Sequence, residues 1–344
     1  MMRERPKTTR PTIRDVAREA NVSIGTVSSV INNRSVVADE TRRHVLRLIA
    51  ELGYEPNNAA QTLKRGRISS IGIVVPDLRN PYFAAVAEGV ERAAAQNDVL
   101  MVLCLTSAES AREEYYARVL RTQRLDGVIY LSGTGLPTAA LLKLSERNNV
   151  VFVDERLPGI DVPFVISDNR AGARAVAAEV LAAGHQRIAI IGGPPRLWTS
   201  EQRLAGYREA IAAAGSDPDG VVVIDGDYSE QSGHAAAGRL LSGSGRRPTA
   251  IICTNDLMAI GAIRCCRERG LAVPGDVSVT GFDDIPGADL LDPPLTTVAQ
   301  PGFDMGAAAA ELLLHHIGVI ARPPAQIAFP TTLMKRGSVA LPAG

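Results

Sequence analysis

Residues Thr12–Asn32, TIRDVAREANVSIGTVSSVIN, constrain this chain more than any other stretch. Ile13, Val16, Ala17 and Ala20 recur at three- and four-residue spacing, so they share one face of a first helix. Asn21-Val22 continues that helix poorly. Ser23 is a good N-cap for a second helix that carries Thr26, Val27, Val30 and Ile31. Ala17 is small where two helices must cross closely, and Val27 and Val30 can pack back against the first. The pattern predicts a helix-turn-helix, whose second helix lies in the DNA major groove with its N-terminal residues near base edges. An ordinary helical hairpin has the same periodicity, so the following residues decide between the two.

They spell a third amphipathic helix over Val37–Leu52, with Val45, Leu46, Ile49 and Leu52 as its apolar stripe and Gly53 as its stop. Then comes Leu52-Gly53-Tyr54-Glu55-Pro56-Asn57-Asn58-Ala59-Ala60-Gln61-Thr62-Leu63-Lys64. In their order TIRDVAREANVS, TVSSVIN, ETRRHV and LGYEPNNAAQTLK, these segments resemble the lactose-repressor (LacI/GalR) family of bacterial transcription factors, and the similarity continues through nearly the whole chain.

The resemblance implies a cytoplasmic bacterial repressor that binds pseudo-palindromic double-stranded operator DNA as a homodimer and answers to a small-molecule effector, a carbohydrate or its derivative. It implies DNA contacts from Thr12, Ser23, Ile24, Gly25, Thr26, Ser28, Ser29, Asn32, Tyr54, Asn57, Ala60, Leu63 and Lys64. The implied architecture is an all-α helix-turn-helix head plus an α/β body of two doubly wound parallel-sheet subdomains, like a type I periplasmic binding protein. The expected divisions are a basic arm (1–11), a helix-turn-helix domain (12–55), a hinge helix and linker (56–67) and an effector-binding and dimerisation domain (68–344). Within the last, one subdomain takes 68–167 with 297–324, and the other takes 168–296 with 325–344.

Charge distribution agrees with that division. Net charge is zero, yet residues 1–67 hold 13 Lys/Arg against 7 Asp/Glu and the remainder 24 against 30. A basic head on an acidic body fits a DNA-binding module joined to a ligand-binding one. Pro56–Lys64 allows a helix of about two turns, too short to be stable alone in water. The family position of Leu63 is that of a side chain wedged into the minor groove to kink the duplex.

From Ser70 onward apolar strands alternate with helices. Strands are expected at 71–75, 99–105, 127–131, 150–153, 164–167, 187–191, 221–225, 250–254 and 277–282. Continuous Val, Ile and Ala in them predict burial on both faces, hence parallel sheets covered by helices. So many units predict two sheets, and the family pattern has the chain cross between them near Asp168, Thr297 and Ala325. A ligand then binds between the subdomains, outside the carboxyl ends of the strands.

Residues at those strand ends are the site candidates. Tyr82 and Phe83 either stack on a sugar or base ring or pack under the helix they start. Asp168 either accepts from ligand hydroxyls or caps a helix. Trp198, the only tryptophan, is placed in a loop that covers the ligand. In the family the positions of Arg203, Asn255 and Asp283 hold polar ligand atoms.

Catalysis finds little support. Adjacent Asp283 and Asp284 point to opposite faces if extended, so they make a poor acid/base pair across one substrate. Gly192-Gly193-Pro194-Pro195 lacks the N–H groups of a phosphate loop, and neither GxGxxG nor HExxH occurs. No cofactor or metal is expected. Cys104, Cys253, Cys265 and Cys266 have no metal spacing and read as reduced thiols. No apolar run reaches the roughly 18 residues of a membrane span, so no membrane partner is expected, and Met1–Arg10 is too polar for a signal peptide. A cytosolic transport component would leave residues 12–64 without a purpose, and an architectural DNA-binding protein would leave the polar cleft without one.

Departures from the family pattern limit what carries over. Ser29 stands where many members have arginine, the side chain suited to bidentate recognition of guanine, and Gly25 offers no side chain to a base. Ala38 replaces a hydroxyl N-cap, a loss of ~1 kcal/mol. Leu341–Gly344 shows no leucine heptads, so no tetramerising coiled coil is expected.

Overall fold

Two compact units, Met1–Arg67 and Ile68–Gly344, make up the chain. The computed structural model describes residues 11–31, 37–52, 70–122, 125–146, 149–242 and 247–342. In the first unit Thr12 donates both its backbone N–H and its hydroxyl to the Asp15 carboxylate, at 2.9 and 2.7 Å, and starts α1 (Ile13–Glu19). Ser23 Oγ accepts from Thr26 N at 3.0 Å and starts α2 (Ile24–Ile31). Helix α3 is Asp39–Leu52, so Ala38 holds the N-cap position. Val16, Val27 and Val45 are fully buried where the three helices meet, with Ala17, Ala20 and Val30 around them. Each such side chain contributes about 1.5–3 kcal/mol.

The apolar stripe of α3 needs one correction. Val45, Leu48, Ile49 and Leu52 pack on α1 and α2, whereas Leu46 is 49 % exposed. The packed set has the i, i+3, i+4, i+7 spacing of one helix face, and Leu46 lies about 100° away from Val45.

The second unit is built on two parallel sheets. In the first, β1 (Ser70–Val75), β2 (Leu100–Leu105), β3 (Gly127–Tyr130), β4 (Val150–Val153), β5 (Phe164–Ser167) and β11 (Ala328–Phe329) lie in the order β11-β5-β4-β3-β1-β2. Helices α4 (Pro81–Ala95), α5 (Ser110–Thr122), α6 (Ala139–Ser145) and α11 (Gly302–His316) accompany it. In the second, β6 (Ile188–Gly192), β7 (Val222–Asp225), β8 (Ala250–Cys253) and β9 (Ser278–Thr280) lie in the order β7-β6-β8-β9, with α7 (Asn169–Ala182), α8 (Trp198–Ala213), α9 (Glu230–Ser242) and α10 (Asp256–Glu268). A two-stranded antiparallel pair, β10 (Thr297–Ala299) with β12 (Thr332–Met334), lies where the chain passes between the sheets. Each strand order reverses once, between β1 and β3 and between β6 and β8. The carboxyl ends at those reversals open a crevice, because successive connections leave in opposite directions.

The sheets differ from expectation at β11 and at β2. Strand β11 pairs in parallel with β5, so the first sheet extends to Phe329 and the third crossing follows it rather than lying near Ala325. Strand β2 is not buried on both faces: it is the sheet edge, and Leu100, Val102 and Leu103 are 66, 38 and 38 % exposed. An edge strand has a neighbour on one side only, so apolar composition alone does not bury it.

Candidate functional site

The carboxyl ends of both sheets of the second unit face a cavity of about 580 Å³. The first sheet and its loops contribute Asn80, Tyr82, Phe83, Ser132, Asp154 and Glu155, and the second side contributes Thr199, Arg203, Tyr228, Asn255 and Asp283. Arg203 is its hub. One turn into α8, it is held close to α7 because Gly206 lets the two backbones approach: a Cβ there would meet the Arg170 carbonyl oxygen at 2.3 Å.

Arg203 also closes a ring of hydrogen bonds that runs through the chain crossings. Its Nε donates to Asn169 Oδ1 at 2.7 Å, and Asn169 Nδ2 donates to Ser167 Oγ at 3.1 Å. Ser167 Oγ donates to Gln300 Oε1 at 2.5 Å, Gln300 Nε2 donates to Asp283 Oδ1 at 2.7 Å, and Asp283 Oδ1 faces Arg203 Nη1 at 3.5 Å. Ser167 and Asn169 flank the first crossing, and Gln300 follows β10 at the second. The guanidinium further donates to the Thr254 carbonyl and lies 3.9 Å from the centre of the Phe282 ring, a cation–π contact strengthened by burial.

Three buried carboxylates, Asp154, Glu155 and Asp283, surround this single guanidinium. Burial pushes Asp283 up to about 6, against the pull of Arg203 and Gln300. Burial, with the Asp154 charge beside it, pushes Glu155 up to about 8. Asp154 is raised too, by burial, with Arg203 opposing. Burial works against the charge on Arg203, but Tyr228, Asp283 and Asp154 more than offset it. Asp154 Oδ1 is buried and has no hydrogen-bond partner in the protein, so a donor supplied in the cavity would relieve its desolvation. Asp154 (φ 69°) and Asp283 (φ 111°) both sit on left-handed backbone, costly for non-glycine residues and concentrated at functional sites.

Of the expected effector-site residues, Asp168 and Trp198 lie outside the cavity lining, and Tyr82, Phe83 and Asn255 line it while also making contacts within the protein. Asp168 is exposed and accepts from Ala171 N at 2.9 Å as the cap of α7, while its neighbour Asn169 turns inward to Arg203. Trp198 is not in a loop over the cavity but is the first residue of α8, and Leu197 and Thr199 on either side line the wall in its place. Asn255 lines the cavity, but its Oδ1 caps α10 through Met258 N and its Nδ2 donates to the Tyr228 carbonyl. Tyr82 is buried in the core with its hydroxyl 3.7 Å from Met305 Sδ, and its ring lies 5.6 Å from that of half-buried Phe83. Asp284 turns away from the cavity to Arg336 at 2.6 Å, which leaves Asp283 without a carboxylate neighbour in sequence facing the same site.

Asp154, Glu155, Ser132 and Tyr228 line the cavity without being among the expected residues, although the strand-end pattern that points to Asp283 also points to Asp154-Glu155 after β4. Glu113 of α5 is likewise not among the expected residues. It is fully buried and accepts from Ser132 Oγ, Gly133 N and Thr134 Oγ1, which fixes the loop after β3. Among the described residues no group of His, Cys, Asp and Glu is arranged to hold a metal.

In the first unit Ile24 is 46 % exposed at the start of α2, with Ser23 and Gly25 exposed beside it. Thr26, Ser28 and Ser29 are half-buried, and the Thr26 hydroxyl lies 2.9 Å from Ser23 Oγ. Asn32, Tyr54, Asn57, Ala60, Leu63 and Lys64 lie outside the described residues.

Residues 12–57 match the lacI family of bacterial regulatory proteins, and residues 177–339 match the periplasmic binding protein-like domain. Over 325 residues the chain is 33 % identical to the HTH-type transcriptional repressor CytR of Escherichia coli strain K12, covering 92 % of this chain and 94 % of that protein. The chain belongs to the LacI family. A second LacI-family relative, the HTH-type transcriptional regulator DegA of Bacillus subtilis, is 37 % identical over 299 residues, covering 86 % of this chain and 88 % of that one. Among solved LacI-family structures, the lac repressor dimer bound to operator and the anti-inducer ONPF superposes with a TM-score of 0.84 at 28 % identity, covering 96 % of this chain and 100 % of that one. The complex of the regulator CelR with cellobiose gives 0.70 at 34 % identity, with the same coverage. LacI-family membership makes the chain a transcriptional regulator and not an enzyme.

Proposed function

We propose that this regulator is a homodimeric cytoplasmic repressor whose affinity for a pseudo-palindromic operator is set by a sugar, or a sugar derivative, held between Asp154, Arg203 and Asp283. The observation that carries this reading is the buried cleft of one guanidinium and three carboxylates, with the Asp154 oxygen unpartnered, in a chain that also has a helix-turn-helix unit. Vicinal hydroxyls match such a set, since each both donates to a carboxylate and accepts from a guanidinium. The cellobiose-bound and ribose-bound relatives support the carbohydrate class.

DNA contact falls to the start of α2, with Ile24, Thr26 and Ser28 nearest bases and phosphates, and to the hinge segment with Leu63 as the wedge. A second copy of the chain is supported by the exposed apolar edge strand, Leu100, Val102 and Leu103, and by the dimeric lac repressor. Gel-shift titration of DNA upstream of the gene, with and without cellobiose, maltose or ribose, tests the reading. Operator binding that one of these sugars changes is the expected result. Binding indifferent to all of them would move the protein to a purely architectural role.

A further inference from the structure

Helix α8, which carries Arg203, has no cap of its own. Its N-cap residue is Leu197, with no polar side chain, so the first-turn N–H groups lack the partner that Ser, Thr, Asp or Asn would provide there. The missing acceptor comes from the other side of the cleft. Glu155, two residues past β4 of the first sheet, accepts from the Thr199 hydroxyl through Oε1 and from Thr199 N at 3.4 Å through Oε2. Both residues are buried, at 3 and 2 % exposure. A second, independent contact lies beside this one. The loop after β3 comes so close to the loop entering α8 that a Cβ on Gly135 would lie 2.1 Å from the Arg196 carbonyl oxygen. The start of α8 is therefore seated against the first sheet at two points. The remainder of the helix packs on α7 of the second.

We propose that Glu155 is a positioning residue that caps α8 from across the cleft and so holds Arg203 in place only while the two sheets of the body are closed on one another. The residue acts on the ligand site through α8: Arg203 lies one helical turn beyond Thr199, and a shift at the first turn moves the guanidinium with it. Opening the cleft by a few ångströms breaks both bonds, since a hydrogen bond is lost beyond about 3.5 Å. The ring through Asn169, Ser167, Gln300 and Asp283 then loses its fixed point. The claim rests on the proposed function only in making Arg203 a ligand contact. The capping itself is independent of any ligand and of DNA.

Hydrogen exchange on the full-length dimer, with no sugar added, tests it. In Glu155→Ala, peptides spanning 197–203 should exchange about tenfold faster than wild type, while peptides within 173–182 of α7 stay unchanged. Glu155→Gln keeps an acceptor oxygen and should restore most of the protection. If Glu155→Ala does not fold, Thr199→Val removes the hydroxyl donor alone and should accelerate the same peptides by a smaller factor. Unchanged exchange at 197–203 in the alanine or valine variant would overturn the proposal. So would equal acceleration in the alanine and glutamine variants, which would show that the carboxyl fills space and does not cap. Neither outcome depends on sugar binding, so the assignment of the effector stands or falls separately.

Discussion

Arg203 Nη1 lies 3.5 Å from Asp283 Oδ1, with both side chains 4 % exposed. The pair joins α8 to the segment after β9, and through Gln300 and Asn169 it reaches two of the places where the chain passes between the sheets. A ligand that competes for either partner thus acts on the connections that set how the sheets face each other.

Arg203 is consequently a stability residue, whatever it does for a ligand. Removing one partner of a buried pair leaves an uncompensated charge and costs about 3–5 kcal/mol. Arg203→Ala should lower the denaturation free energy of the body by that amount, measured by urea unfolding. A loss below about 1 kcal/mol would mean that the ring carries little of the fold.

The buried carboxyls set the pH dependence. Glu155 and Asp256 are pushed up to about 8 and Asp283 to about 6, each by burial first. Asp154, Arg203 and Tyr228 face Glu155, while Asp283, Asp284 and Arg336 surround Asp256. A carboxyl whose folded pKa is raised keeps a proton that the unfolded chain has released above about pH 4, so its unfolded state binds fewer protons and stability falls as pH rises to the folded value. Buried His185, lowered by desolvation, works in the opposite sense but only below about 6.5. Melting temperature should therefore fall between about pH 6.5 and 8, and Asp256→Asn should flatten that slope. A melting temperature that rises across this interval would contradict the assignment of these protons.

Much of this was legible in the sequence, and the parts that were not share a cause. The buried strands announce themselves because runs such as Ile71–Val75 and Ala250–Cys253 are continuously apolar. Helix Ala139–Ser145 is too short to show a period, and β11 and β12 have two and three residues. Arg203 and Asp283 follow from strand ends and family positions. Of the two roles open to Asp168 the structure shows the helix cap, and Asn169 faces inward in its stead, because the turn out of β5 points adjacent side chains in opposite directions and nothing local says which one turns in. Ser167 meets Gln300 across 133 positions, Asn169 meets Arg203 across 34, and Glu155 meets Thr199 across 44, through contacts that only the folded arrangement of the two sheets creates.

On the DNA side, Ser29 is half-buried on α2, where arginine would gain bidentate contact with guanine worth about 1–3 kcal/mol per base. Ser29→Arg should change operator preference without abolishing binding, read by selection from a randomised operator library. Recovery of the same half-site for both proteins would remove Ser29 from the base-reading positions.

The central claim is that the cleft governs operator affinity. Its most direct test is the operator affinity of wild type and Asp154→Asn, titrated with cellobiose, maltose and ribose. Coupling of about 1–3 kcal/mol corresponds to a 5- to 150-fold change in affinity. The account predicts a change of that size in wild type with at least one of these sugars, its loss in Asp154→Asn, and sugar-free affinities within about twofold of each other, because the substitution leaves the DNA-binding unit untouched. An operator affinity that no sugar alters, or a sugar response that survives in Asp154→Asn, would contradict it.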